Sequence, residues 1–197
     1  MTKLSKEYWE KRYIDNSTSW DLGEPSTPIK EYIDQLKYKD SKILIPGAGN
    51  AHEANYLFEN GFKNIYILDI APSPLEYAKK RINLPSSHFI QQDYFKYSEL
   101  YDIIFEQTFF CALEPRFRES YVKKTHTLLK DGGCLIGVLF NFENKLDGPP
   151  FGGSVKEYTS LFEPFFDIIM MRPCYNSVPT RKGKELFIKL IKKNNGN

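Results

Sequence analysis

Apolar positions switch between two periods along this chain. From residue 41 onward, short apolar runs alternate with stretches whose apolar positions recur every three or four residues. ILI (43–45), NIYILDI (64–70), HFIQQDYF (88–95), YDIIFEQTFF (101–110) and CLIGVLF (134–140) read as strands, and their largely unbroken apolar runs suit strands buried on both faces. Between them, HEANYLFENG predicts a helix ended by Gly61, and Pro74 opens another that reaches about Asn83. Glu114-Pro115 opens a third, which runs through SYVKKTHTLLK and stops at Asp131-Gly132-Gly133. VKEYTSLFEPF predicts a further helix, and FDIIMM and ELFIKLIKK two last strands. This alternation implies an α/β fold, a doubly wound and mostly parallel seven-stranded sheet with an antiparallel hairpin at one edge. Residues 1–40 read as a helical arm that carries both tryptophans, and residues 1–197 as a single domain.

Composition narrows the partners. With 27 basic and 25 acidic residues the net charge is +2, too small to hold a polyanion, so nucleic acid is not expected. No apolar stretch approaches the roughly 18 residues of a membrane span. The start, MTKLSKEYWEKRY, has no apolar run behind its charges and reads as no secretory leader. Cys111, Cys134 and Cys174 are odd in number and show no CxxC spacing, which fits reduced thiols in a cytoplasmic protein. No feature reads as a dimer face, so a monomer is expected. The histidines show no metal spacing; His126 is expected on a helix surface, and His52 reads either as a first-turn helix residue or as a ligand contact.

The stretch LIPGAGNAHE turns from a strand into a helix through two glycines. In a doubly wound sheet, ligands bind beyond the carboxyl ends of the strands near the switch point, and glycine lets backbone approach them closely. The dinucleotide pattern asks for Gly or Ala at position 52, where this chain has His52, which counts against a pyrophosphate there. A lone Gly-x-Gly is equally an ordinary tight turn. Asp69 ends the second strand about 20 residues further on, where an acid accepts from ribose hydroxyls, or caps the next helix instead. Asp93 ends the third strand, where it can accept from an adenine amino group or serve as a loop residue. Glycine turn, Asp69 and Asp93 together point to a nucleoside ligand without pyrophosphate, a description that S-adenosylmethionine meets.

These residues resemble the class I methyltransferases, which are Rossmann-like, and within them the thiopurine S-methyltransferase family. LIPGAG, ILDIAPSPLEYA, QQDYF, FEQTFFCALEP and LLKDGGCLI fall in that family's order. The arm YWEKRYIDNSTSWDLGEPSTP, the loop GPPF and the tail TRKGKE extend the likeness to almost the whole chain. FCALEP and TRKGKE are most similar to the plant thiol and halide methyltransferases, whereas GPPF is similar to the thiopurine enzymes. The resemblance implies that Trp9, Tyr13 and Trp20 close over S-adenosylmethionine, with Gly47, Ala48 and Gly49 at its methionine end. It implies Asp69 and Ile70 at the ribose and Asp93 with Tyr94 at the adenine. Glu106 stands at the family's Asp at the end of the fourth strand and is expected to touch the cofactor.

A sulfonium methyl is already activated, so transfer needs orientation and a dry site rather than a catalytic side chain. Aromatic faces suit a sulfonium cation. Phe110, Phe151, Tyr175 and Arg181 are the expected acceptor contacts, with Arg181 alternatively part of a solvated charge run and Phe110 alternatively core. Cys111 reads as a small buried hydrophobe rather than a nucleophile. The expected activity is methyl transfer to a small thiol, sulfide, thiocyanate or halide, or to a thiopurine, leaving S-adenosylhomocysteine. The alternatives are a nicotinamide-dependent oxidoreductase and a cofactor-binding protein without turnover.

Overall fold

The computed structural model describes residues 4–143 and 148–194; residues 1–3 of the arm and Asp147 of the DGPPFGG loop lie outside the described residues. Seven strands form one sheet: β1 (Ile43–Pro46), β2 (Ile65–Asp69), β3 (Phe89–Gln91), β4 (Tyr101–Gln107), β5 (Leu129–Phe140), β6 (Phe166–Pro173) and β7 (Glu185–Lys192). Their order is β3-β2-β1-β4-β5-β7-β6. The first five run parallel, and β7 lies antiparallel between β5 and β6, so the expected hairpin forms with β6 as the outermost strand.

The helices are α1 (Lys6–Ile14), α2 (Thr27–Asp34), α3 (His52–Glu59), α4 (Pro72–Arg81), α5 (Arg118–Leu128) and α6 (Val155–Phe162). Ile29 and Ile33 of α2, Leu57 of α3 and Leu75 of α4 are buried against one face of the sheet. Tyr121 and Val122 of α5 and Tyr158 and Phe162 of α6 are buried against the other. β1 is buried at all four positions, as a central parallel strand must be. The direction of crossover reverses between β1 and β4, which leaves a crevice at their carboxyl ends. Among the described residues, no helix is long and apolar enough to cross a membrane.

Three boundaries differ from the periodicity, each for a local reason. Helix α4 begins at Pro72 rather than Pro74, because a proline's missing N–H costs nothing in the first turn. The third predicted helix ends at Leu128, and Leu129 already pairs with Tyr101 in the sheet. Four residues of β5, Lys130–Gly133, then bulge against one of β4, Asp102, with Gly132 at a φ of 73°. Strand β4 stops at Gln107 because the Glu106 carboxylate accepts the N–H groups of Phe109 and Phe110, at 2.8 and 2.9 Å, and takes them out of the ladder. His126 is also not on the surface; it is buried beside Phe165 and Phe166, with Nε2 3.0 Å from the Lys193 carbonyl.

Gly137 of β5 sits opposite Glu106, and a Cβ there would lie 2.2 Å from the Glu106 carbonyl oxygen. Gly137→Ala is expected to destabilise the fold by about 1–3 kcal/mol through this overpacking, read as a lowered midpoint in thermal or urea unfolding.

Candidate active site

The crevice is a cleft of about 660 Å³ that runs from the glycine turn, past the ends of β2 and β3, to the turn after β4. Gly47, Gly49 and Ala51 all have left-handed backbone, with φ of 57°, 52° and 57°. A Cβ at Gly47 would lie 2.3 Å from the Phe109 ring, and one at Gly49 would lie 3.0 Å from the Tyr13 hydroxyl. A side chain at Gly47 would collide with Phe109, one at Gly49 would press on the Tyr13 hydroxyl, and the left-handed backbone favours glycine at both.

Asp69 holds this turn. Its Oδ2 accepts the Gly49 N–H at 3.0 Å and its Oδ1 the Ala71 N–H at 2.9 Å. A carboxylate has about four lone-pair sites, so acceptor capacity remains. Burial pushes the Asp69 carboxyl up to about 6, although these backbone N–H groups pull the other way. Asp93 uses one oxygen to cap the turn Tyr94–Lys96, accepting the Phe95 N–H at 2.9 Å. The Tyr94 hydroxyl bonds Thr125 Oγ1 at 2.7 Å, and the residue is part of the cleft lining.

The arm crosses above. Trp20 meets Trp9 edge-on at 5.5 Å and Tyr13 at 5.8 Å, and all three line the cleft. The arm is tied at several points to the sheet's carboxyl end. Glu10 accepts from Ser73 N at 3.1 Å and from Ser73 Oγ, at the start of α4. Asp21 accepts from Asn50 Nδ2 and lies 2.7 Å from His52 Nε2 at the start of α3, which holds its carboxyl down at about 2. Ser26 donates its N–H to the buried Glu53 at 3.0 Å.

The structure brings ten of the expected cofactor residues to this cleft: Trp9, Tyr13, Trp20, Gly47, Ala48, Gly49, Asp69, Ile70, Asp93 and Tyr94. It does not bring Glu106 there. Glu106 is fully buried beneath the β4 turn, where it accepts the Phe109 and Phe110 N–H groups and the Tyr121 hydroxyl at 2.6 Å. Its longer side chain folds back under the turn instead of reaching over it. Of the expected acceptor residues, only Arg181 lines the cleft. Phe110 is core, packed edge-on to Tyr121 and Tyr158. Phe151 is buried beside it, its N–H donating to the Cys111 carbonyl at 2.8 Å. Tyr175 is 85% exposed and bonds Glu31 at 2.9 Å, outside the cleft. The sequence reading missed Thr108, Phe109, Asn50 and Asp21, which line the cleft through contacts between distant segments. The positive φ of Thr108, 58°, leaves no mark in the hydrophobic pattern.

The family model for thiopurine S-methyltransferase matches residues 4–193. The chain belongs to the thiopurine S-methyltransferase family. A probable thiol methyltransferase 2 of Arabidopsis thaliana is 32% identical over 192 residues, covering 94% of this chain and 84% of that protein. Thiocyanate methyltransferase 1 of the same plant is 30% identical over 184 residues, covering 90% and 81%. Among solved structures, the fold is similar to a Burkholderia thailandensis 1,6-didemethyltoxoflavin N1-methyltransferase bound to S-adenosylhomocysteine, with a TM-score of 0.76, 14% identity and coverage of 96% and 87%. This member of the thiopurine S-methyltransferase family is thus an S-adenosylmethionine-dependent S-methyltransferase. Its cleft fits that cofactor in its acids: Asp69 and Asp93 keep acceptor capacity at successive strand ends.

Burial also pushes the Glu106 carboxyl up to about 7, with the Tyr121 hydroxyl and the two N–H groups opposing the shift. A folded-state value above the unfolded one means that Glu106 adds stability below about pH 4.5 and loses that contribution as pH rises through about 7. Glu106→Gln is therefore expected to flatten the stability profile between these values, measured by urea unfolding at a series of pH values.

Proposed function

We propose that this protein methylates a small soft nucleophile, either a thiol, sulfide, thiocyanate or halide, at the end of the cleft beyond the glycine turn. The observation that carries the reading is the aromatic arm, with Trp9, Tyr13 and Trp20 set over the glycine turn in a single cleft. In this reading Gly47, Ala48 and Gly49 offer backbone to the methionine end of S-adenosylmethionine. Asp69 and Ile70 take the ribose, and Asp93 and Tyr94 the adenine. When bound, the cofactor supplies a methyl group already activated on a sulfonium. The chain's own residues orient the partners, surround the sulfonium with aromatic faces and exclude water, and none needs to form a covalent bond.

The acceptor end is lined by Cys111, Phe140, Pro149, Pro150, Thr180 and Arg181. This mostly apolar wall suits a polarisable nucleophile, in keeping with the thiol and thiocyanate enzymes among the relatives. Pro149 and Pro150 of the GPPF loop face the cleft, which supports a thiopurine as the second reading. Three free cysteines support a cytoplasmic setting, and both walls of the cleft come from one chain, which supports a monomer acting on small molecules.

Methyl transfer from labelled S-adenosylmethionine to bisulfide, thiocyanate, iodide and mercaptopurine, followed by headspace gas analysis and liquid chromatography, tests this. Volatile methyl products are expected. Turnover of mercaptopurine alone would favour the thiopurine reading, and cofactor binding without product would point to a non-catalytic role. Asp69→Asn is expected to weaken S-adenosylhomocysteine binding about tenfold by calorimetry, the effect of losing a charge-assisted acceptor. Because only the ionised carboxylate accepts from both hydroxyls, wild-type affinity should fall as pH drops below about 6, and the Asn variant should not follow it.

A further inference from the structure

Arg181 closes a short turn, Pro179–Arg181, in the connection from β6 to β7 and is 8% exposed. Its Nη2 donates to the backbone carbonyl of Trp20 at 2.6 Å, across 161 residues of chain. Its Nη1 lies 3.5 Å from Glu185, itself 4% exposed, and the guanidinium sits 5.7 Å from the Phe140 ring centroid. The charge that a small anionic acceptor would seek is therefore already matched by a buried carboxylate, and the planar fork is held from two directions. The same connection reaches the amino-terminal segment a second time, through the Tyr175 hydroxyl and Glu31.

Trp20 is the middle ring of the cluster over the glycine turn, between Trp9 and Tyr13, and the next residue, Asp21, bonds the start of α3. Fixing the Trp20 carbonyl fixes where that ring stands. We propose that Arg181 is a positioning residue that latches the arm to the acceptor side of the cleft, so that arm closure and completion of the acceptor wall are one event. The proposal rests on the methyltransferase reading above and deepens it. Because the latch joins the two ends of the cleft, cofactor and acceptor strengthen each other's binding reciprocally through it.

Arg181→Lys and Arg181→Ala in the full chain test this. Lysine keeps a positive charge beside buried Glu185, so it avoids the unpaired carboxylate that alanine leaves, but it lacks the fork that serves two partners. Calorimetry with S-adenosylhomocysteine is expected to show about tenfold weaker binding to Arg181→Lys, the loss of one charge-assisted hydrogen bond. Limited proteolysis of the S-adenosylhomocysteine complex should cut within the arm faster than in the unsubstituted protein. Millimolar guanidinium should restore part of the affinity of Arg181→Ala, and if alanine does not fold, the lysine variant alone decides. The proposal is overturned if Arg181→Lys binds S-adenosylhomocysteine within about twofold of the unsubstituted protein, resists protease equally, and raises only the KM for hydrosulfide. No S-adenosylhomocysteine binding by the unsubstituted protein would instead overturn the methyltransferase reading.

Discussion

Backbone N–H groups that leave a parallel sheet at its carboxyl end lose the ladder that satisfied them, and a buried N–H without a partner is costly. This protein answers with carboxylates. Asp69 takes the N–H groups of Gly49 and Ala71, Glu106 those of Phe109 and Phe110, and Asp93 that of Phe95. Glu53 takes the N–H of Ser26, and Glu10 that of Ser73. The segments that form the cleft are therefore held by acids, and several of those acids are buried deeply enough for their proton affinity to rise. The shape of the site and its electrostatics have the same origin.

How much of this could be read from the amino-acid order depends on the range of the interactions. The strands and helices follow from local periodicity, and the apolar β1 and the proline-started α4 follow from adjacent residues. The glycine turn and the acids after β2 and β3 were legible because their chemistry is local to each strand end. Glu106 was not: its side chain turns under the loop to accept the N–H groups three and four residues ahead. Tyr175 and Phe151 were expected in the cleft and do not line it: one is exposed and bonds Glu31 and the other is buried, a difference that residue type does not carry. The packing of Phe109 over Gly47 and of Tyr13 near Gly49 is a matter of tertiary approach and leaves no periodic signal.

The arm illustrates division of labour between weak local structure and strong distant contacts. Helix α1 has no buried residue, so burial within the sheet's core does not hold it. Its placement comes instead from Glu10, together with Asp21 and Trp20 in the segment that follows, each bonded to a different element of the sheet's carboxyl end or of the β6–β7 connection. A segment held by a few polar contacts opens at lower free energy than the core it covers.

Cys111 gives the cleft wall a hazard that burial removes. An enzyme that delivers methyl groups to sulfur carries a sulfur of its own in that wall, with Sγ donating to the Thr108 carbonyl at 3.3 Å. Thiolate is the nucleophile, and thiol is a poor one. Burial, with the Glu106 charge adding to it, pushes the Cys111 thiol far above its ordinary range and keeps the proton on. Burial and the Glu106 charge thereby keep the protein's own sulfur in the thiol form, unlike an acceptor that enters as thiolate.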